Sequence, residues 1–337
     1  MKRADSKLMK EINKNLIRNS FRYEIESTAT NLAQKTGLSV VTVNGLLKEM
    51  VETNEVFLGE SRSSNGGRPS TVYIYNDMFR CALIAFGFTR DNKDYIRFLV
   101  TNLLGKCIYE EEFNFENIEY NTFDETLNSL FDKYKSIEVI AFGLPGTEEN
   151  GVVNVIDYPG IAGDKFMKHY KEKYGVKVIF VNDINAAVNG YYSTKIDNND
   201  NVTVVGLVFN RVYLPGSGLV INGEIHTGKS NFAGEMAYMP LDIDWININY
   251  DNEEEITEAI SKVIAIFSCV VAPEHFVLYG DFFNENSAKI ISEKTRKSLN
   301  NYFSTNIVTC NDFEEDYKNG MIKIALEVLN SEHKVFK

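Results

Sequence analysis

The sequence has no paired cysteines. Its four (Cys81, Cys107, Cys269 and Cys310) stand far apart with no CxxC among them. That spacing argues against a structural zinc site and a disulfide framework, and points to reduced thiols. Histidine is just as sparse: His169, His226, His275 and His333 are scattered, and each reads as a surface or packing residue. No stretch approaches the roughly 18 uninterrupted apolar residues of a membrane helix. The opening MKRADSKLMKEINKN has no apolar core of the signal-peptide kind. A soluble, cytoplasmic protein with no membrane partner is expected. A surplus of basic residues is also lacking, because the formal charge is −12, which taken over the whole chain argues against nucleic acid.

What is present changes that picture. Residues 1–80 hold 12 Lys and Arg against 9 Asp and Glu, a balance of +3, while the remainder holds 23 against 38, a balance of −15. A cationic module is thus carried by an acidic body. With 337 residues, 44% hydrophobic and 24% charged, there is material for two or three globular units.

The first 80 residues predict a winged helix-turn-helix. Leu8, Met9, Ile12, Leu16 and Ile17 recur at helical spacing over Leu8–Phe21. Ser27 or Thr28 can cap a second helix that Gly37 ends, and Ser39 caps a third with Val43, Leu46, Leu47, Met50 and Val51 on one face. Two short helices around a glycine turn form the helix-turn-helix pattern. Strand-like Val56–Gly59 and Thr71–Tyr75 flank the polar, glycine-rich 60–70, which reads as a wing. The first residues of the third helix face base edges in such modules. Ser39, Val40, Thr42 and Asn44 are therefore the candidates for base reading. Lys48 is a candidate phosphate contact, and Arg62 and Arg68 on the wing suit phosphates or a narrow minor groove. Few Lys or Arg on that helix imply modest affinity per monomer and a dimer on a two-fold operator.

From Cys81 the texture turns to strands alternating with helices, an α/β body with mixed sheets. Strands are expected at Ala82–Phe88, Tyr95–Thr101, Cys107–Phe113, Val139–Gly143, Val176–Val181, about Val202–Phe209, Gly218–Ile221 and Phe276–Gly280. Helices are expected at Phe123–Tyr134, Asp164–Tyr174 and about Glu253–Val271. Two β-rich starts, near 82 and 202, hint at two similar lobes.

These residues together resemble the ROK family (repressors, open reading frames, kinases), in particular its repressors of sugar operons. TGLSVVTVNGLLKEMVETNEV and SSNGGRPSTVYIYN resemble the family's helix-turn-helix and wing. FGLPGTEENGVV, DYPGI, FVNDINAAVNG and INGEIHTGKSNFAGEMAYMPL resemble its body motifs, in order and at matching spacing. The resemblance implies a two-lobed, actin-like, sugar-kinase-like body of the ribonuclease H-like kind. It implies a head at 1–80, a first lobe at 81–183 completed by a C-terminal helix at about 319–337, and a second lobe with a dimerisation surface at 184–318. It also implies sugar contacts at Asn182, Asp183, Glu235, Tyr238, Asp157 and Gly146. Asp183 matches the base that in kinases of the family deprotonates the attacking hydroxyl, a role that suits a carboxylate facing a cleft.

Four departures bear on activity. The opening D-x-G-G-T of family kinases is Ala85-Phe86-Gly87-Phe88-Thr89-Arg90 here, without its acid or paired glycines. The second phosphate loop is Asn210–Gly218, where Arg211, Val212, Tyr213 and Leu214 replace glycines that let backbone N–H groups approach a polyphosphate. The family's zinc motif is missing and Tyr238 stands in place of its histidine. In the sugar loop, Asp157 replaces Asn and Ile161 replaces Trp. Neither ATP nor zinc is expected as a cofactor, and Asp183 becomes the relic of a kinase base, with no catalytic residue assigned. The resulting reading is a sugar-responsive, kinase-inactive repressor that binds double-stranded operator DNA and a monosaccharide or sugar phosphate, as a homodimer or homotetramer. Two alternatives stay open: a ROK sugar kinase with an appended head, and a regulator with a dead pocket that answers to a protein partner.

Overall fold

The computed structural model describes residues 2–61, 70–90, 93–115, 117–154, 158–196, 201–302 and 304–331. Helix α1 (Lys2–Tyr23) opens the chain, followed by strand β1 (Glu26–Thr28), α2 (Ala29–Thr36), α3 (Val40–Glu52), β2 (Val56–Leu58) and β3 (Val72–Tyr75). Of the two predicted caps, Thr28 is the one used: its hydroxyl accepts from the Asn31 N–H at 3.2 Å. Gly37 closes α2 at φ 72°, and Ser39 caps α3 by accepting from the Thr42 N–H at 3.1 Å. The strands pair antiparallel in the order β1-β3-β2. β1 was not foreseen, since three residues carry no readable alternation. Arg62, Arg68 and the rest of the wing tip lie outside the described residues.

The head closes on Ile17, Phe21, Leu32, Val43, Leu47, Met50 and Val56, all buried. Beside them Arg18 and Glu55 form a buried ion pair, Nη2 to Oε2 3.0 Å. Breaking one partner of such a pair leaves an uncompensated charge, so the pair pins α1 to the start of β2.

The body holds two sheets. The first uses β4 (Cys81–Arg90), β5 (Lys93–Thr101), β6 (Cys107–Asn114), β7 (Ile137–Leu144) and, after the short hairpin β8 (Thr147–Glu149) and β9 (Val152–Asn154), β10 (Lys177–Asn182). Its order is β10-β7-β4-β5-β6, with β4 to β6 antiparallel and β7 and β10 parallel to β4. Helices α4 (Asp124–Lys133) and α5 (Lys165–Tyr174) belong to this unit, and α6 (Asp183–Lys195) leaves it. The second sheet repeats the plan. It contains β11 (Val204–Val208), β12 (Gly216–Ile221), β13 (Glu224–Ile225), β14 (His275–Tyr279) and β15 (Asn306–Cys310), ordered β13-β12-β11-β14-β15. Helices α7 (Glu253–Val270) and α8 (Ser287–Ser298) accompany it, and α9 (Phe313–Ser331) follows.

β4 is buried on both sides because its side chains alternate. Ala82, Ile84, Phe86 and Phe88 join one core, while Cys81, Leu83 and Ala85 join the core under α4 and α5. The first of these cores also contains Tyr317, Met321, Ala325 and Leu329, one i, i+4 row of α9. The C-terminal helix thus packs on the first sheet, and it begins at Phe313, six residues before the predicted 319. That same core runs on into Ile17, Phe21 and Leu32 of the head. Arg80, at the entry to β4, donates from Nη1 to the Leu329 carbonyl at 3.0 Å, fastening the far end of α9 beneath the head.

α6 and α9 cross at two glycines. A Cβ on Gly190 would lie 1.7 Å from the Asp316 carbonyl oxygen, and one on Gly320 would lie 1.8 Å from that of Ala186. Backbone meets backbone, so the neighbour cannot yield as a flexible side chain could. Gly190→Ala is expected to lower unfolding free energy by ~2 kcal/mol or more. Gly45→Ala, in a helix with nothing within 4 Å of the new methyl, should instead raise it by about 0.5–1 kcal/mol. Urea denaturation of the two variants side by side checks both signs.

Candidate functional site

A cleft of about 1150 Å³ lies between the two sheets, at or above the upper end of the range for small-molecule sites. β10 ends at Asn182 and α6 starts at Asp183, which places the Asp183 carboxylate in the first turn of a helix, where the peptide dipoles favour negative charge. Asn182 is tied at both ends of its amide. Its Oδ1 caps α6 by accepting from the Asn185 N–H at 3.0 Å. Its Nδ2 donates to the Gly146 carbonyl at 3.2 Å and to Asp183 Oδ1 at 3.1 Å. Gly146, at φ 108°, adopts a conformation side chains rarely tolerate and so can aim that carbonyl. Asn182 and Gly146 therefore act by fixing Asp183.

The opposite wall comes from the second lobe. Gly234 sits at φ 99°, and its carbonyl accepts from the Ser217 N–H at 3.1 Å and the Ser217 hydroxyl at 2.6 Å. A Cβ at Gly234 would come 2.4 Å from the Ser217 carbonyl oxygen, so glycine is what lets this segment lie on β12 and offer Glu235 to the cleft. Desolvation by the cleft wall holds the Glu235 carboxyl above the usual carboxylate range. Tyr238 stands at the rim, 67% exposed, its ring 6.3 Å from that of Phe232. Asn231 reaches across to the first lobe, donating to the Glu148 carbonyl at 3.0 Å. Gly146, Asn182, Asp183, Glu235 and Tyr238 all line the cleft, and Asp157 lies outside the described residues. Ser217, Asn231 and Phe232 escaped the sequence reading, because their roles depend on which loop covers which strand.

At both phosphate-loop positions polar groups bond within the protein. Ala85–Arg90 continues as the end of β4, paired with β5 as far as Arg90–Lys93. The Thr89 hydroxyl donates to Asp94 at 2.9 Å, and Arg90 pairs with Glu112 and Glu314. In the second loop Asn210 Oδ1 accepts from the N–H groups of Val212 (2.7 Å) and Tyr213 (3.3 Å). Arg211 donates from Nε to both carboxylate oxygens of Asp281 and from Nη2 to Asp251. Among the described residues, no three His, Cys, Asp or Glu side chains group as a metal site.

On the head, Ser39, Val40, Thr42, Asn44 and Lys48 are all exposed along α3, opposite the buried Val43, Leu46, Leu47 and Met50. The Ser39 and Thr42 hydroxyls lie 2.8 Å apart and engage each other. Val41, 82% exposed, is the most solvent-reached apolar residue of this face. Among the described residues no helix is long and apolar enough to cross a membrane.

A helical head with a small antiparallel sheet, set on two lobes of one repeated topology with a cleft between them, defines an actin-like, sugar-kinase-type body with an added N-terminal module. Residues 92–256 match the model of the ROK family. It is 25% identical over 302 residues to the xylose repressor of Bacillus subtilis, covering 83% of this chain and 73% of that one. Across the xylose repressors it matches, the alignment spans 60–73% of their length. It is 27% identical over 180 residues to an N-acetyl-D-glucosamine kinase of Vibrio atlanticus, covering 51% of this chain and 58% of the kinase. The crystal structure of a ROK family transcriptional regulator, a homolog of the E. coli MLC protein, superposes with a TM-score of 0.68 at 12% identity. That superposition covers 97% of this chain and 99% of the other.

A carboxyl raised in the folded state favours folding while it is protonated, and this contribution is lost as pH rises through the raised value. Glu235→Gln should therefore be more thermostable than the parent at neutral pH. The gap should narrow as pH falls and close below ~4.3, where Glu235 becomes protonated in both states. Thermal melts across that range read the effect.

Proposed function

We propose that this protein is a sugar-responsive DNA-binding transcriptional repressor whose cleft senses a sugar and does not phosphorylate it. The observation that carries this reading is a cleft that keeps hydroxyl-accepting carboxylates from both lobes, Asp183 and Glu235, while polar groups at both phosphate-loop positions bond within the protein. Sugar hydroxyls donate readily to such carboxylates, whereas a polyphosphate needs open backbone N–H groups.

In this reading residues 1–80 grip operator DNA, 81–183 with α9 form the first lobe, and the stretch from 184 up to the start of α9 forms the second lobe and the subunit contact of a cytoplasmic homodimer or homotetramer. Asn44, Thr42 and Val40 read bases, Ser39 holds the helix start, and Lys48, Arg62 and Arg68 meet phosphates. In the cleft, Asp183, Glu235, Tyr238 and Asp157 contact the sugar, and Asn182 and Gly146 position Asp183. A sugar that closes the lobes moves α9 relative to α6, and α9 ends at Arg80 under the head. Such a ligand switches the heads by binding one arrangement better, and a coupling of ~1–3 kcal/mol is sufficient.

The relation to xylose repressors supports this reading. Asp183 at the head of α6, together with the likeness to a sugar kinase, supports a second one, ATP-dependent sugar phosphorylation. Calorimetric titration with monosaccharides and with ATP separates them: sugar binding without ATP is expected, and turnover of ATP with a sugar overturns the first reading. Lys48→Ala should weaken binding to the chain's own upstream duplex uniformly across sequences and reduce the salt slope by about 1, while Asn44→Ala should cost about 1–3 kcal/mol and relax sequence preference. Fluorescence anisotropy at several salt concentrations checks both.

A further inference from the structure

The cleft is lopsided in charge. Among the described residues six carboxylates line it, those of Asp183, Glu235, Asp281, Asp312, Glu314 and Glu315, against a single cation, Arg97. Asp281 is held by Arg211 from behind. Arg97 is already committed. Its Nη2 bonds Glu112 at 2.8 Å and Glu314 at 3.3 Å, Nε bonds Glu112 at 3.3 Å, and the guanidinium rests 4.8 Å above the Phe88 ring. Glu314 takes a second arginine as well, with Arg90 Nη2 at 2.9 Å. One carboxylate, supplied by the first turn of α9, thus sits between the two arginines of the β4–β5 hairpin. Both arginines reach the same oxygen of it, Oε2, each through Nη2, and two guanidinium groups meeting on one anionic oxygen make a contact that a phosphate oxygen also satisfies.

We infer that the cleft selects uncharged polyhydroxylated ligands over their phosphate esters, and that Glu314 sets this choice by seating its own carboxylate on Arg90 and Arg97. The inference rests on the sugar-sensing reading and narrows its ligand class. A neutral sugar donates hydroxyl protons to the surplus carboxylates, which are acceptors only. A phosphate ester brings about two negative charges into a space whose walls repel it, and it finds both arginines paired. To bind the arginines it must displace Glu314, leaving that carboxylate unpaired in an acidic cleft, and share them with Glu112, which pairs with both.

The test uses the full chain and calorimetric titration with D-xylose, D-glucose, D-glucose 6-phosphate and inorganic phosphate. The parent should bind a neutral sugar at least tenfold more tightly than D-glucose 6-phosphate and show no heat with inorganic phosphate. Glu314→Gln, which keeps the shape and loses the charge, and Glu314→Ala should each gain at least tenfold for inorganic phosphate. Glu315→Gln removes the same charge from the same cleft without releasing an arginine, and should gain markedly less. Retained duplex binding by each variant verifies the fold. A parent that prefers the 6-phosphate overturns the inference and leaves sugar sensing intact. Equal gains from the Glu314 and Glu315 variants, or no gain from any of them, overturn the role of Glu314. A parent that binds neither sugar nor phosphate, with duplex affinity unmoved by sugar, defeats the sugar-sensing reading itself.

Discussion

The contact between α6 and α9 at Gly190 and Gly320 sets most of the geometry. With no side chain between them, the two helices meet backbone to backbone, and each begins at the cleft. α6 starts with the carboxylate that Asn182 orients, and α9 starts with the one that Arg90 and Arg97 hold. The same α9 ends under the head, where Arg80 holds its last turn. A change in lobe separation is therefore converted at this crossing into movement of a single rigid rod of about 28 Å, at ~1.5 Å per residue. Packed helices of this kind have few intermediate arrangements, so a small shift at the cleft is not dissipated in side-chain adjustment.

Close to the crossing lies a second contact between the lobes. Asp316 of α9 is buried, accepts from the Tyr279 hydroxyl of β14 at 2.9 Å and lies 3.5 Å from the Cys310 sulfur. Burial raises its carboxyl above the ordinary range. The second sheet is thereby attached to a helix that packs on the first. Glu235 sits on the opposite wall under the same penalty. Both acids illustrate a common pattern, in which groups useful to a site are kept where the fold alone would not favour them.

Much of the architecture was legible in the sequence, for identifiable reasons. Apolar spacing located α3, and Gly37 and Ser39 fixed its entry because caps have side-chain signatures. β4, β7 and β10 were legible as apolar runs, since strands covered on both faces read as near-continuous hydrophobic stretches. β1 was missed because it is too short to alternate, and α6 because its small residues, chosen for close approach to α9, blur the apolar face. In the site, Asp183 and Glu235 could be named from a motif, while the tying-up of both ends of Asn182 could not. The pairing of Glu314 with Arg90 and Arg97 was out of reach as well, because it joins residues 217 and 224 positions apart.

The grip of Arg80 on Leu329 spans 249 residues of sequence. During synthesis the head can acquire its own core long before the helix it rests on exists, and domains generally fold in the order they emerge. Until α9 is in place, the core that the head shares with the first sheet lacks one wall, and the head has a fold but no fixed bearing. An incomplete chain therefore presents a folded head that is not yet coupled to the two lobes, and only the arrival of α9 couples it.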